Sequence, residues 1–180
     1  MNREFYTEEH LSVRAGDARL VDPLVINFDG AGVRLTNEKY AFDLNSDGVQ
    51  DQVSFAGAGS GFLALDKNGD GTINPGAELF GPTSGNGFAE FSRHDADGNG
   101  WIDEADPVFT DLRVWTKDAA GSDSLQTLSQ SGIGAFFLES VETPFSMKDG
   151  NQLDGRLSRS GLFLYENGAA GTVQQVDLAV

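Results

Sequence analysis

Short apolar runs alternate with clusters of glycine, asparagine and aspartate along most of the chain. The segment "HLSVRAG" (10–16) alternates with a period of two, the pattern of a half-buried strand. "ARLVDPLVINF" (18–28) is apolar and β-rich but broken by Asp22-Pro23. Further strands are predicted over 33–36, 40–44, 52–57 and 61–66, each bounded by turn residues. Such spacing predicts a meandering antiparallel sheet.

The middle changes period. Phe88, Ala89 and Phe91 sit at helical spacing within 85–95, and Pro107 stands where a helix over 105–115 would begin. A third helix is predicted over 124–132, with Ser124 as N-cap and Gly132 as C-cap. Strand patterns return at 133–140, 161–168 and 172–180. The expected fold class is α+β, with short antiparallel strands at both ends and a central EF-hand-like helix-loop-helix insert. The expected division is a polar N-terminal segment and strand (1–21), then one domain (22–180) whose EF-hand-like subregion covers about 62–116.

Composition narrows the function. Hydrophobic residues make up 39% of the 180, with 13 Phe, enough for a core. The formal net charge is −16. A surface that acidic repels nucleic acid and anionic membranes, and no run is long enough for a transmembrane helix, so neither nucleic-acid binding nor membrane insertion is expected. The chain has no cysteine, which excludes disulfides, zinc fingers and thiol nucleophiles. The opening "MNREFYTEEH" has no apolar run, and no Sec-type signal peptide is expected.

The charge is concentrated in loops. "DADGNGWIDEAD" (95–106) fits the calcium-loop pattern, in which oxygen ligands come from positions 1, 3, 5, 7, 9 and 12 and glycine stands at 6. Asp95, Asp97, Asn99, Trp101 (through its carbonyl), Asp103 and Asp106 take the ligand positions. Asp106 replaces the usual Glu and leaves room for water. A second loop offers Asp66, Asn68, Asp70, Thr72 and Asn74, with Glu78 one place late at position 13. A third offers Asp43, Asn45, Asp47, Val49 (through its carbonyl) and Asp51, and also reads as an Asx-rich hairpin turn. "NFDGAG" (27–32) and "KDAAGSD" (117–123) are weaker echoes that read as solvated turns. All-oxygen cages favour Ca²⁺ over octahedral Mg²⁺. Two to three ions are expected; three would bring the charge of −16 to about −10 and couple folding to the ion.

Other chemistry is thin. His10 and His94 are isolated, "GAGSG" (57–61) matches no nucleophile elbow or dinucleotide fingerprint, and Trp101 and Trp115 read as packing.

Several of these features occur in one order: "DPLV" (22–25), "FDLNSDGVQD", "GFLALDKNGDGTI", "ELFG" (78–81), "GNGFAEF" (85–91), the 95–106 loop and "LRVW" (112–115). Together they resemble the calcium-dependent self-processing module of iron-regulated repeat-in-toxin (RTX) proteins and related EF-hand-like bacterial calcium-binding proteins. The resemblance runs from about Asp22 to about Phe137. It implies folding on calcium, then cleavage of an Asp-Pro bond, here Asp22–Pro23, with Asp22 as the nucleophile. An aspartate can attack its own main-chain carbonyl to form a cyclic anhydride, and proline leaves as a secondary amine. The resemblance also implies that a lysine amine can open the anhydride. The acidic loops after the Asp-Pro and after "RVW" are reduced here, and the glycine-rich nonapeptide repeats are absent.

The leading reading is a calcium-binding module in a structural or interaction role, with calcium and another protein as partners. It is secreted or displayed at the cell surface by a non-Sec route, with a cytoplasmic location as the alternative. The enzymatic alternative is calcium-triggered self-cleavage at Asp22–Pro23. A calcium sensor exposing a partner groove is the third reading.

Overall fold

In the computed structural model, residues 20–118, 120–149 and 152–179 are described, so the strand expected over 10–16 lies outside the described residues. The strands in chain order are β1 (Leu20–Val21), β2 (Leu24–Asn27), β3 (Leu35–Phe42), β4 (Asp51–Ala56), β5 (Ser60–Leu65), β6 (Trp101–Ile102), β7 (Leu112–Lys117), β8 (Asp123–Thr127), β9 (Ile133–Phe137), β10 (Val141–Asp149), β11 (Gln152–Tyr165) and β12 (Ala170–Ala179). Ten of them form one antiparallel sheet in the order β6-β9-β11-β12-β2-β5-β7-β8, with β1 also on β12 and β10 also on β11. The sheet curls into a half-barrel. β3 and β4 form a separate two-stranded ribbon.

The α+β expectation is overturned. About half of the structure is strand, and the one α-helix among the described residues, α1 (Gly87–Phe91), is five residues long. The EF-hand-like helix-loop-helix insert over 62–116 is therefore absent as such. The entry to the 95–106 loop is α1 and a 3-10 turn (Ser92–His94); the exit is a 3-10 turn (Pro107–Thr110). Pro107 starts that turn as expected, but "LRVW" then extends as β7, where buried Leu112 and Val114 alternate with Arg113. The helix expected over 124–132 is β8 and a turn. Leu125 and Leu128, three residues apart, pack into two different cores, which one helical face could not do. Thr127 and Gln130 close the turn by exchanging two N–H to side-chain hydrogen bonds.

Strand alternation builds a core on each face of the sheet. On one face Leu24, Ile26, Leu63 and Val173 meet Phe80, Phe88 and Phe91 from α1 and the segment before it. On the other, Val21, Val25, Phe62, Trp115 and Val176 meet the ribbon through Phe42, Val53 and Phe55. Phe55 packs edge-to-face on both Phe62 and Trp115 with ring centroids 4.8 Å apart. Such pairs add about 0.5–1.5 kcal/mol beyond area burial. Lys39 of β3 reaches Asp154 of β11 at 2.9 Å and ties the ribbon to the sheet a second time.

The aromatic cluster is the ribbon's main hold on the sheet. Phe55→Ala is expected to cost about 3–5 kcal/mol in urea unfolding. A loss below about 1 kcal/mol would show that the ribbon is held elsewhere.

Candidate metal centres and the Asp22–Pro23 bond

Three acidic loops share one backbone. Position 4 is left-handed in each, at Ser46 (φ 58°), Gly69 (71°) and Gly98 (71°). Position 6 is left-handed too, at Gly48 (87°), Gly71 (78°) and Gly100 (83°). Glycine accepts these angles without strain; Ser46 is the only non-glycine residue among the described ones to do so. The weak echo at 27–32 keeps the same two bends, at Gly30 and Gly32, although Ala31 removes one ligand.

Within each loop the first aspartate collects N–H donors. Asp43 accepts from Asp47 and Gly48, Asp66 from Gly69 and Gly71, and Asp95 from Gly98, Asn99 and Gly100. The Gly100 N–H, helped by those of Gly98 and Asn99, holds the Asp95 carboxyl below the usual carboxylate range. Asp70 is lowered in the same way, first by the Thr72 hydroxyl and then by the Thr72 N–H. Both stay ionised and available to a cation.

The structure brings Asp95, Asp97 and Asp106 within 4.8 Å of one another. Asn99 donates to Asp97 from the same rim. Asp103 instead accepts from the Ala105 N–H, and the Trp101 ring packs on Phe137 at 4.8 Å, leaving its carbonyl as the group it can offer. In the second loop Asp70 is the hub, contacted by Asn68, Thr72 and Asn74, with Asp66 beneath the turn. In the third loop Asn45 and Asp47 cap their own turn, and the Val49 side chain is exposed.

Two buried carboxylates close these loops from inside. Asp106 accepts the N–H groups of Ala96 and Asp103; Glu78 accepts those of Lys67, Asn68 and Asn74. Glu78 at position 13 therefore stands where Asp106 stands at position 12, and the extra residue is absorbed by a 3-10 turn (Gly76–Glu78). The 43–51 loop has no such closing group. Its Asp51 instead holds one carboxylate oxygen enclosed without a hydrogen-bond partner. An enclosed, unpaired carboxylate oxygen is costly unless a cation meets it, so the all-oxygen donor set fits Ca²⁺.

Asp22 is placed by the sheet. Val21 pairs with Leu178 and Leu24 with Gln175, so the register runs unbroken across the Asp-Pro and sets Asp22 opposite Asp177. Proline lacks the N–H of its ladder position, yet its carbonyl still accepts from Val176 at 3.0 Å. The Asp22 carbonyl oxygen faces away from β12 onto Gly81, where an added Cβ would lie only 1.7 Å from it. Burial, then the neighbouring Asp177, raises the Asp22 carboxyl to about 6. Asp177 is itself raised by burial. The sequence reading found Asp22 but missed Asp177 and Gly81. An aspartate between buried Val176 and Leu178 was the available signal.

A carboxyl raised in the folded state binds its proton more tightly there than in the unfolded chain. It therefore contributes stability that is present below about pH 4 and lost as pH rises through about 6. Asp22→Asn removes that loss: the variant is expected to be more stable than the parent above pH 6, by on the order of 1 kcal/mol after allowing for partial exposure. Urea unfolding from pH 4 to 8 checks it, and a difference that does not grow with pH contradicts it.

The chain matches the SPM domain family over residues 24–179. It is 31% identical over 156 residues to the iron-regulated protein FrpA of Neisseria meningitidis serogroup C, an alignment covering 78% of this chain and 14% of that protein. The chain thus spans a small part of that relative's length. With the match covering most of its residues, the chain belongs to the SPM domain family.

Proposed function

We propose that this domain is a calcium-binding module of a bacterial surface or secreted protein, stabilised by ions in the 43–51, 66–78 and 95–106 loops. The observation that carries the reading is the repeated backbone: one set of left-handed bends and one N–H pattern, reproduced three times around carboxylates. Likeness to an iron-regulated bacterial protein is compatible with that setting. Asp95, Asp97, Asn99 and Asp106 would hold one ion, Asp66, Asn68 and Asp70 a second, and Asp43, Asn45, Asp47 and Asp51 a third. A bound ion supplies positive charge where carboxylates crowd, and so couples folding to calcium concentration.

A second reading is favoured by the surroundings of Asp22. The module cleaves its own Asp22–Pro23 bond once folded. The carboxyl lies beside the bond it would attack, and the ladder holds Pro23 through its carbonyl. The Gly81 backbone packs on the carbonyl that must become tetrahedral. This contact restricts the geometry of attack.

Native mass spectra of the EDTA-treated chain, taken before and for hours after adding millimolar Ca²⁺, test both readings. Two to three bound ions are expected, with a stability gain of about 2.7 kcal/mol at a hundred times Kd. Asp95→Asn combined with Asp97→Asn should remove one ion. Absence of uptake would sink the calcium reading. Appearance of a 1–22 fragment in the parent, but not in ion-loaded Asp22→Asn, would establish self-cleavage; a parent that stays whole would leave the structural module alone.

A further inference from the structure

We propose that Asp177 is the proton donor for cleavage at Asp22–Pro23: it shares one proton with the Asp22 carboxyl and delivers it to the Pro23 nitrogen as that bond breaks. This rests on the self-cleaving reading of Asp22–Pro23.

The ladder supplies the geometry. Val21 faces Leu178 and Leu24 faces Gln175, which leaves Asp22 facing Asp177 and Pro23 facing Val176. The Val176 N–H donates to the Pro23 carbonyl, so 23/176 is a hydrogen-bonded pair and 22/177 is a non-hydrogen-bonded one. In such pairs the Cα atoms approach to about 4.5 Å and side chains on the shared face are closest. Leu24 and Val173 lie two and four residues away in the α1-side core, which puts both carboxyls on that face. Two carboxyls at this separation do not both ionise readily, and the pair retains one proton where isolated aspartates would hold none. One member then serves as nucleophile and the other as acid.

The neighbours fit this division. The Ser158 hydroxyl donates to Asp177 Oδ1 at 2.9 Å, with the Gln175 carbonyl at 3.2 Å as the alternative acceptor, and so orients the Asp177 side chain. Arg156 of β11 pairs with Asp177 across the strand but is exposed. Glu90 of α1 is occupied by the N–H groups of Gly81 and Ser84. Asp177 itself is 9% exposed. Burial raises the Asp177 carboxyl, while the Ser158 hydroxyl, Arg156 and Asp22 each lower it; the one proton the pair retains passes to Asp177 when Asp22 attacks as the carboxylate.

The step balances as follows. An Asp22 carboxylate oxygen bonds to its own main-chain carbonyl carbon, and the carbon–nitrogen bond to Pro23 breaks. The electron pair stays on nitrogen, which takes the Asp177 proton. The products are a five-membered cyclic anhydride ending the 1–22 fragment and a free secondary amine at Pro23. Water then opens the anhydride to two carboxyl groups. A cleft beside the pair, lined by Gly85, Asn86, Arg156, Ser158 and Gln175, admits it.

The test follows release of the 1–22 fragment by mass spectrometry after adding Ca²⁺ to the full chain, from pH 4.5 to 8.5. The parent is expected to slow at high pH, where the pair loses its proton. Asp177→Asn keeps the shape and the Ser158 contact; it should bind the parent's number of ions and be at least as stable as the parent, yet cleave about 100-fold more slowly, without the high-pH limb. Folded, ion-loaded Asp177→Asn that cleaves at the parent's rate and pH profile overturns the proposal while leaving self-cleavage standing. A parent that never cleaves overturns both. If Asp177→Asn does not fold, Ser158→Ala decides: losing that hydrogen bond raises Asp177, so the limb should move to higher pH, and an unmoved limb overturns the proposal.

Discussion

The structure depends on the antiparallel pairing of β12 with the segment from Leu20 to Asn27. That register runs unbroken through a proline, and it joins both cores at once. Leu24, Ile26 and Val173 face α1, while Val21, Val25, Val176 and Leu178 face the ribbon. A slip of one residue would turn over the slipped strand, sending its apolar set to the wrong face and its aspartate into the ribbon-side core. The missing proline N–H removes one ladder bond. The buried ring, the Val176 bond to its carbonyl and the Leu24 N–H bond to Phe80 hold the register in its place.

Sequence made the strands legible where apolar runs were short and bounded by turn residues. The break at Asp22-Pro23 separates β1 from β2, and β4, β5, β9 and β12 lie close to where periodicity predicts them. The helices failed for identifiable reasons. In "SLQTLSQSG" two leucines three residues apart imitate a helical face, but the chain turns between them and sends one to each core. In "PVFTDLRVW" proline opens a single turn, after which β-branched and aromatic residues find partners in β5 and β8. Loop geometry was better encoded, because glycine at the left-handed positions is a local requirement. The carboxyl pair was invisible, since Asp22 and Asp177 meet only through a register that no local pattern specifies.

The charge of the domain has few internal answers. Among the described residues three ion pairs are formed, by Lys39 with Asp154, Lys117 with Asp123 and Arg159 with Glu142. Most carboxylates in the loops are held instead by backbone N–H groups, which keep them ionised and oriented without neutralising them. With net charge −16, such an arrangement repels itself in the compact state. Cations in the loops would relieve that repulsion at the positions where it is strongest.

The loops and the Asp22–Pro23 bond are also mechanically continuous. Glu78 closes the 66–78 loop from inside, and only Leu79 and Phe80 separate it from Gly81, which packs on the Asp22 carbonyl. Phe80 accepts the Leu24 N–H, so the same short segment grips the strand on the far side of the proline. The 43–51 loop leans on this segment as well: Gly76 donates to the Asp43 carbonyl, and Ala77 to Ser46 Oγ. Beyond Gly81, Glu90 fastens the following turn to α1, which leads into the 95–106 loop. Covalent neighbours and backbone hydrogen bonds thus connect all three loops to the wall against which Asp22 rests. If charge repulsion disordered the 66–78 loop, Gly81 would be loosened with it. The peptide bond at Asp22 would then lose the contact that fixes its carbonyl, while the β12 pairing that brings up Asp177 stayed intact.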